Sequence, residues 1–397
     1  MLSSTGGVLD ARTLGRLERW RKARALFVRP DGPDAERALS SALGKVWSRG
    51  QIYGRSRRIA VERTAGELLT KMQEALGPLS EHVRVAPEDP AQTKWDAIGN
   101  LAPLPAAARQ VGALWLVDAL SASALFVEFQ PIFDLRTGET VGFEGLLRVR
   151  SPEGATRLAV EIFPAAQRLG IALAFERISW IQVLEAARRL PPDAMLFLNV
   201  NPRLLSGDGG LAGLGVEAER VQFPYTRLAL DLVEVERVES LEQLGSALAV
   251  PHDLGVSIAL DDITSSYETI RYCSGLSPRW IKVDSEITRG VSTDAPRRSV
   301  LRLLAQVARD ASVGLIAEGI ETAADLDVCL AEGVFAAQGY FLGRPAEEPS
   351  SASPEFLGWL AGKGVTPPAP ATEEPPAEIG QRPGPERPAD PEESFDL

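Results

Sequence analysis

Between Leu228 and Asp284 the chain carries three short apolar runs, LALDLVE, SIALDDITSS and WIKVD, each of strand length and each ending in carboxylates or a lysine. A buried strand that finishes in charge needs a compensating partner, and a bound metal supplies one. Alternate residues of a strand point to opposite faces. Leu228, Leu230 and Leu232 therefore share one face, and Ala229, Asp231 and Val233 the other. Asp261 and Asp262 fall at the end of the second run, where two adjacent carboxylates splay to either side of the strand axis. In the third run Lys282 and Asp284 share a face, with Ile281 and Val283 opposite. A single strand-end aspartate is ordinarily a helix N-cap or a turn residue. Three in consecutive strands point to one shared site.

Composition narrows the ligand. The only cysteines are Cys273 and Cys329 and the only histidines His82 and His252, so neither a disulfide framework nor a Cys/His zinc site can be assembled. Any metal must sit among oxygen ligands, as magnesium, manganese or calcium does. The 397 residues, 45% hydrophobic and 24% charged, have the balance of a soluble globular chain. There is no run of about 18 apolar residues and no signal-peptide core at the N-terminus, so the expectation is a cytoplasmic protein without a transmembrane segment. The net charge of −12 argues against a nucleic-acid polymer as partner. Half of that charge lies after Val365, where eight acidic residues face only Arg382 and Arg387.

Three regions follow from the pattern. Residues 1–122 read as mostly helical and rich in arginine. Leu14, Leu17 and Trp20, with Phe27 a further step along, fall on one helix face, and further helices are predicted over 34–47, 64–76 and 106–120. Residues 77–105, with five prolines, read as a loop or linker. The arginine clusters, including Arg55, Arg57 and Arg58, read first as a solvated helix face and otherwise as a site for an acidic partner or an anionic surface. Residues 363–397, rich in proline and glutamate without apolar periodicity, are expected to be a disordered acidic tail.

From 123 to 362 strands alternate with helices. Strands are predicted at 126–133, 141–147, 195–200, 228–233, 256–261, 280–283, 314–317 and 334–341. Eight strands with crossover helices predict a TIM-type (β/α)8 barrel. The first two are joined by a hairpin-length link, residues 135–140, which makes one of them antiparallel to the rest. Glu144, Asn199, Asp231, Asp261, Asp262, Lys282, Glu318 and Gln338 lie on or at the C-terminal ends of seven different strands, where a closed barrel brings them together. Five carboxylates around one mouth do not stay ionised together without cations, and two divalent ions would neutralise most of the charge.

From Phe126 to Pro345 these motifs, in this order, resemble the EAL-domain family of cyclic-di-GMP phosphodiesterases and receptors. QPIFDLRTGETVGFEGLLR is similar to the family's opening hairpin and Glu-Ala-Leu signature, here Glu144, Gly145 and Leu146, and FLNVNP supplies its asparagine as Asn199. LALDLVE, IALDDI, IKVD, AEGIE and AQGYFLGRP resemble the remaining motifs. The resemblance implies a bacterial signalling enzyme that hydrolyses cyclic-di-GMP to linear pGpG. It implies two Mg2+ or Mn2+ ions held by Glu144, Asn199, Asp231, Asp261, Asp262 and Glu318. Catalytic roles fall to Lys282, which would contact the attacking water, and to Glu318, Glu144 and Gln338; substrate contacts fall to Arg148, Gln130 and Pro345. Glu234 and Glu321 would support the metal ligands from behind. A homodimer through the barrel belongs to the same set of expectations.

Three departures qualify the match. The signature alanine is Gly145, a small change that removes no ligand. The leading glutamate of a Glu-x-Thr-Glu motif is Asp231, one methylene shorter, which implies weaker metal affinity. A Phe-Gly-Thr-Gly loop is replaced by Ile263, Thr264, Ser265 and Ser266, with strain expected at β-branched Thr264. These changes imply weak activity or, as the alternative, a non-hydrolysing cyclic-di-GMP receptor or scaffold.

Overall fold

The computed structural model describes residues 10–89, 93–205 and 210–365; the segment expected to be a disordered tail lies outside them from residue 366 onward. In the N-terminal region helices predominate, as expected, but they enclose a five-stranded sheet that the periodicity did not disclose. Its strands are β1 (Ala25–Pro30), β2 (Gln51–Tyr53), β3 (Ser56–Ala60), β4 (Val83–Pro87) and β5 (Ala102–Pro103), in the order β2-β3-β1-β4-β5 with antiparallel neighbours throughout. Phe27 belongs to β1, not to the face of the arginine-rich helix Ala11–Lys22. Residues 77–105 are no linker, because they contribute β4, β5 and the helix Lys94–Gly99. The apolar run ALFV is buried on both sides, as in a central strand, and such a strand has no period-two signature to read. The helix expected over 34–47 breaks at Gly44, whose φ of +48° is a left-handed cap, and the one expected over 106–120 breaks after Val111.

The second region is a closed barrel. Its strands are β6 (Leu125–Asp134), β7 (Thr140–Arg150), the short flanking β8 (Thr156–Arg157), β9 (Met195–Val200), β10 (Leu228–Leu232), β11 (Ser257–Ile263), β12 (Trp280–Val283), β13 (Gly314–Ala317) and β14 (Ala336–Ala337). The ladder runs β6-β14-β13-β12-β11-β10-β9-β7 and returns through β6–β7 pairing. β6 is antiparallel to both neighbours, and the other barrel pairings are parallel. The tight β6–β7 link forms because the Asp134 carboxylate accepts from the backbone N–H groups of Arg136 (2.7 Å) and Thr137 (3.1 Å), while Gly138 takes φ +73°. The last strand is shorter than the 334–341 expected, since Gly339 at φ +153° turns the chain out of the sheet. Among the described residues no helix is long and apolar enough to cross a membrane.

Alternation places the site. Leu196, Leu198, Leu228, Leu230, Leu232, Ile258, Leu260, Ile281 and Val283 point outward into the main core between sheet and helices. Ile132, Met195, Phe197, Ala229, Ala259, Trp280, Ile316 and Ala336 point inward and plug the barrel. Two residues beyond Phe197, Ala229, Ala259, Trp280, Ile316 and Ala336, on the same face, come Asn199, Asp231, Asp261, Lys282, Glu318 and Gln338. A dry layer therefore underlies a polar one, as in barrels whose interior is a packed core.

Gly145 faces outward on β7, and a Cβ there would collide with Val183 Cγ1 and press on Leu196 Cδ1 at 3.3 Å. The missing signature methyl is filled by Val183, so Gly145→Ala should destabilise by about 1–3 kcal/mol through overpacking. Adding Val183→Ala should recover part of that loss in denaturant titrations.

Candidate metal and phosphodiester site

β7, β9, β10, β11, β12 and β13 each deliver a carboxylate, amide or ammonium to one cluster, directly or from the C-terminal end, and Gln338 joins it from the residue just past β14. At the centre is Lys282, fully buried on β12. Its ammonium lies 2.7 Å from Asp231 Oδ2, 3.0 Å from Asp261 Oδ1, 2.7 Å from Glu318 Oε1 and 3.5 Å from Glu144 Oε2. Glu144 also accepts from Asn199 Nδ2 (2.8 Å) and Gln338 Nε2 (2.8 Å), and Gln338 Nε2 donates to Glu318 as well (2.7 Å). Gln338 is fixed for this because its N–H bonds Ala317 O while its carbonyl accepts from Ile320 N, an approach that Gly339 permits.

Four carboxylates around one ammonium repel one another once water is excluded. Burial, with the charge of Asp261 added, raises Asp231 well above the ordinary aspartate range, and burial does the same to Glu318 despite Lys282. Burial also raises Asp261. Glu144 resists burial and stays low, because Lys282 and the two amide donors favour its charged form. Burial acts to lower Lys282, but the surrounding carboxylates hold it far above the usual lysine range. Partial burial, with the charges of Asp261 and Asp284, pushes Asp262 up to about 7.

The donor set fits a hard divalent cation. Asp261, Asp262 and Glu318 each offer an oxygen within 4.8 Å of the others. Asp231 Oδ1 and Gln338 Oε1 are buried without a hydrogen-bond partner, and a buried oxygen left unpaired is costly unless something electropositive meets it. With its amide nitrogen donating to Glu144, the carbonyl oxygen is the one side-chain atom that Asn199 has left for a cation.

The remaining expected residues are placed unevenly. Gln130 sits directly opposite Glu144 in the β6–β7 ladder. Arg148 is nearly buried on the same face of β7 as Glu144, and its Nε donates to Glu128 at 2.8 Å. Pro345 and Glu321 share an open groove of about 610 Å³ with Tyr340 and Arg344. Glu321 pairs with Arg289 (2.7 Å) and Glu234 with Arg237 (2.6 Å), both as surface ion pairs and neither touching the Lys282 cluster. Asp284 is the N-cap of the helix that follows β12. The strain expected at Thr264 falls elsewhere: Asp262 takes the left-handed φ of +55°, which aspartate tolerates, and Thr264 is not among the residues of positive φ. Two residues carried no motif. Glu128 is the partner of Arg148, and strand alternation from Gln130 was the available signal. Glu176 accepts from Asn201 N at 2.5 Å behind the Asn199 segment, and burial raises it to about 8.

The decisive likeness comes on top of this geometry: the family model for the EAL domain matches residues 113–345. The chain belongs to the EAL-domain family. It is 28% identical over 222 residues to the cyclic di-GMP phosphodiesterase PA2567 of Pseudomonas aeruginosa, covering 55% of this chain and 38% of that protein. It is 25% identical over 226 residues to the cyclic di-GMP phosphodiesterase PdeL of Escherichia coli, covering 54% and 61%. This EAL-domain chain thus spans less than two thirds of either relative. Among solved structures, a standalone EAL protein from Vibrio cholerae in its c-di-GMP-bound form is 25% identical with a TM-score of 0.51, over 58% of this chain and 97% of that one. The fold is shared with an EAL-domain protein of Bacillus subtilis in complex with c-di-GMP and calcium, 23% identical with a TM-score of 0.53, over 63% of each chain.

Cation binding must displace the protons that burial retains, so its pH dependence has a sign. A raised aspartate stabilises the fold below its unfolded value of 3.8, and this contribution is lost as pH rises through about 7 for Asp262. Without divalent ions the melting temperature should fall across that window. The gain on adding Mn2+ should grow from small at pH 5 to large at pH 8. A gain independent of pH would mean that the carboxylates are ionised before the metal arrives.

Proposed function

We propose that the EAL domain of this chain is a metal-dependent phosphodiesterase that hydrolyses cyclic-di-GMP to linear pGpG. The observation that carries this reading is the interior cluster itself, in which carboxylates from four strands or strand ends surround Lys282 while two buried oxygens lack partners. Glu144, Asn199, Asp231, Asp261, Asp262 and Glu318 would hold two Mg2+ or Mn2+ ions. When bound, such ions lower the pKa of a water and neutralise phosphate oxygens during in-line displacement.

The chain's own residues do the rest. Glu144 and Glu318 are held in position by the Gln338 amide, which donates to both. Lys282, relieved of part of its carboxylate shell by cations, is the donor that orients the attacking water and opposes charge at phosphorus. Arg148 meets a phosphate oxygen from the same face as Glu144, with Gln130 and Pro345 bordering the substrate. Glu234 and Glu321 act from the loops beyond β10 and β13. A cytoplasmic location, a homodimer through the barrel and a protein partner for the N-terminal helices belong to the same proposal.

A second reading, a non-hydrolysing cyclic-di-GMP receptor, is favoured by one observation: Asp231 replaces a glutamate and is bound to Lys282 at 2.7 Å. Incubation with cyclic-di-GMP and Mn2+ separates the two. The expected product is pGpG, absent with Glu144→Ala. Binding without turnover over hours would establish the receptor, and neither binding nor turnover would remove both readings. Asp231→Glu, which restores the reach, should lower the Mn2+ concentration for half-maximal activity by roughly threefold or more.

A further inference from the structure

We propose that Glu128 is a built-in competitor for the ligand phosphate, a carboxylate that occupies Arg148 and sets the ligand concentration at which the site fills. This rests on the cyclic-di-GMP reading above.

In the β6–β7 ladder Glu128 lies opposite Leu146, Gln130 opposite Glu144 and Phe126 opposite Arg148. Alternation puts Glu128, Gln130, Glu144 and Arg148 on one face, the face that carries the cluster. Glu128 and Arg148 are diagonal neighbours there, within reach of long side chains. Arg148 Nε donates to Glu128 Oε2 at 2.8 Å, and its Nη1 donates to Leu147 O at 3.1 Å. The Arg148 side chain is only 9% exposed and that of Glu128 23%, so water screens the pair poorly.

The consequence is electrostatic. The mouth holds Glu144, Asp231, Asp261, Asp262 and Glu318 against Lys282, which the cluster already neutralises. Arg148 is the next cation on this face, and Glu128 cancels its charge. Arg150, two residues further on the same face of β7, is paired too, with Glu347 at 2.6 Å. A cyclic dinucleotide carries two phosphodiester charges, and on this face of β7 both Arg148 and Arg150 are already paired with carboxylates. Its phosphate must take Arg148 from Glu128, or share it against the repulsion of a carboxylate. Glu128 therefore weakens binding while leaving the site's specificity for a phosphodiester intact.

Glu128→Gln tests this, because the amide oxygen still accepts from Arg148 Nε while the charge is gone. In the full chain with Ca2+, the cyclic-di-GMP Kd of Glu128→Gln should fall about five- to tenfold, more at low salt than at high salt. In an Arg148→Ala background the same substitution should change nothing. Thermal melting and Mn2+ titration of each variant report folding and metal uptake. If the wild type binds and Glu128→Gln binds equally or more weakly, Glu128 only orients Arg148 and the proposal is overturned. A gain that persists without Arg148 would overturn it as well. If the folded, metal-loaded wild type binds no cyclic-di-GMP at all, the functional reading itself fails.

Discussion

The barrel is organised by one buried ammonium. Lys282, with no exposed surface, stands among Asp231, Asp261, Glu318 and Glu144, and each of these would be untenable in a dry interior without it. The cation is supplied by β12, and the anions come from, or from just beyond, β7, β10, β11 and β13. The cluster therefore forms only when those strands are in register. The same crowding that Lys282 partly relieves leaves excess negative charge, raised carboxyl groups and unpaired oxygens. Excess negative charge and unpaired oxygens are what the proposed divalent-ion site needs from its surroundings.

What permits so polar a layer is the apolar plug beneath it. Trp280 packs near Phe197 and Phe335, with ring centroids 6.2 and 5.6 Å apart, and closes the lower barrel to water. Six of the inward apolar residues, Phe197, Ala229, Ala259, Trp280, Ile316 and Ala336, are followed two positions later by a site residue, so packing and chemistry share a period. Displacing one strand by a single residue would exchange them and place leucines in the site.

Much of this could be read from the chain. The eight staves, the antiparallel opening strand and the converging residues follow from strand-length runs, a hairpin-length link and alternation; the motif order agreed with the family the chain belongs to. The N-terminal sheet was not legible. β1 is buried on both faces, β2 has only three residues, and β3, β4 and β5 are short and arginine- or proline-containing, so neither alternation nor propensity marked them. The Asp262 and Thr264 backbone likewise turned on the bulge between Leu260 and Ile263, which depends on the neighbouring strand.

The sequence by itself determined which residues could carry the chemistry, because an oxygen-only donor set follows from having two histidines and two cysteines, and side-chain direction in a strand follows from covalent geometry. Tertiary structure decided who touches whom. That Gln338 bridges Glu144 and Glu318 and that Val183 takes the place of a methyl at Gly145 depend on distances between elements far apart in the chain. Such distances are set by barrel closure and register, and no local pattern encodes them.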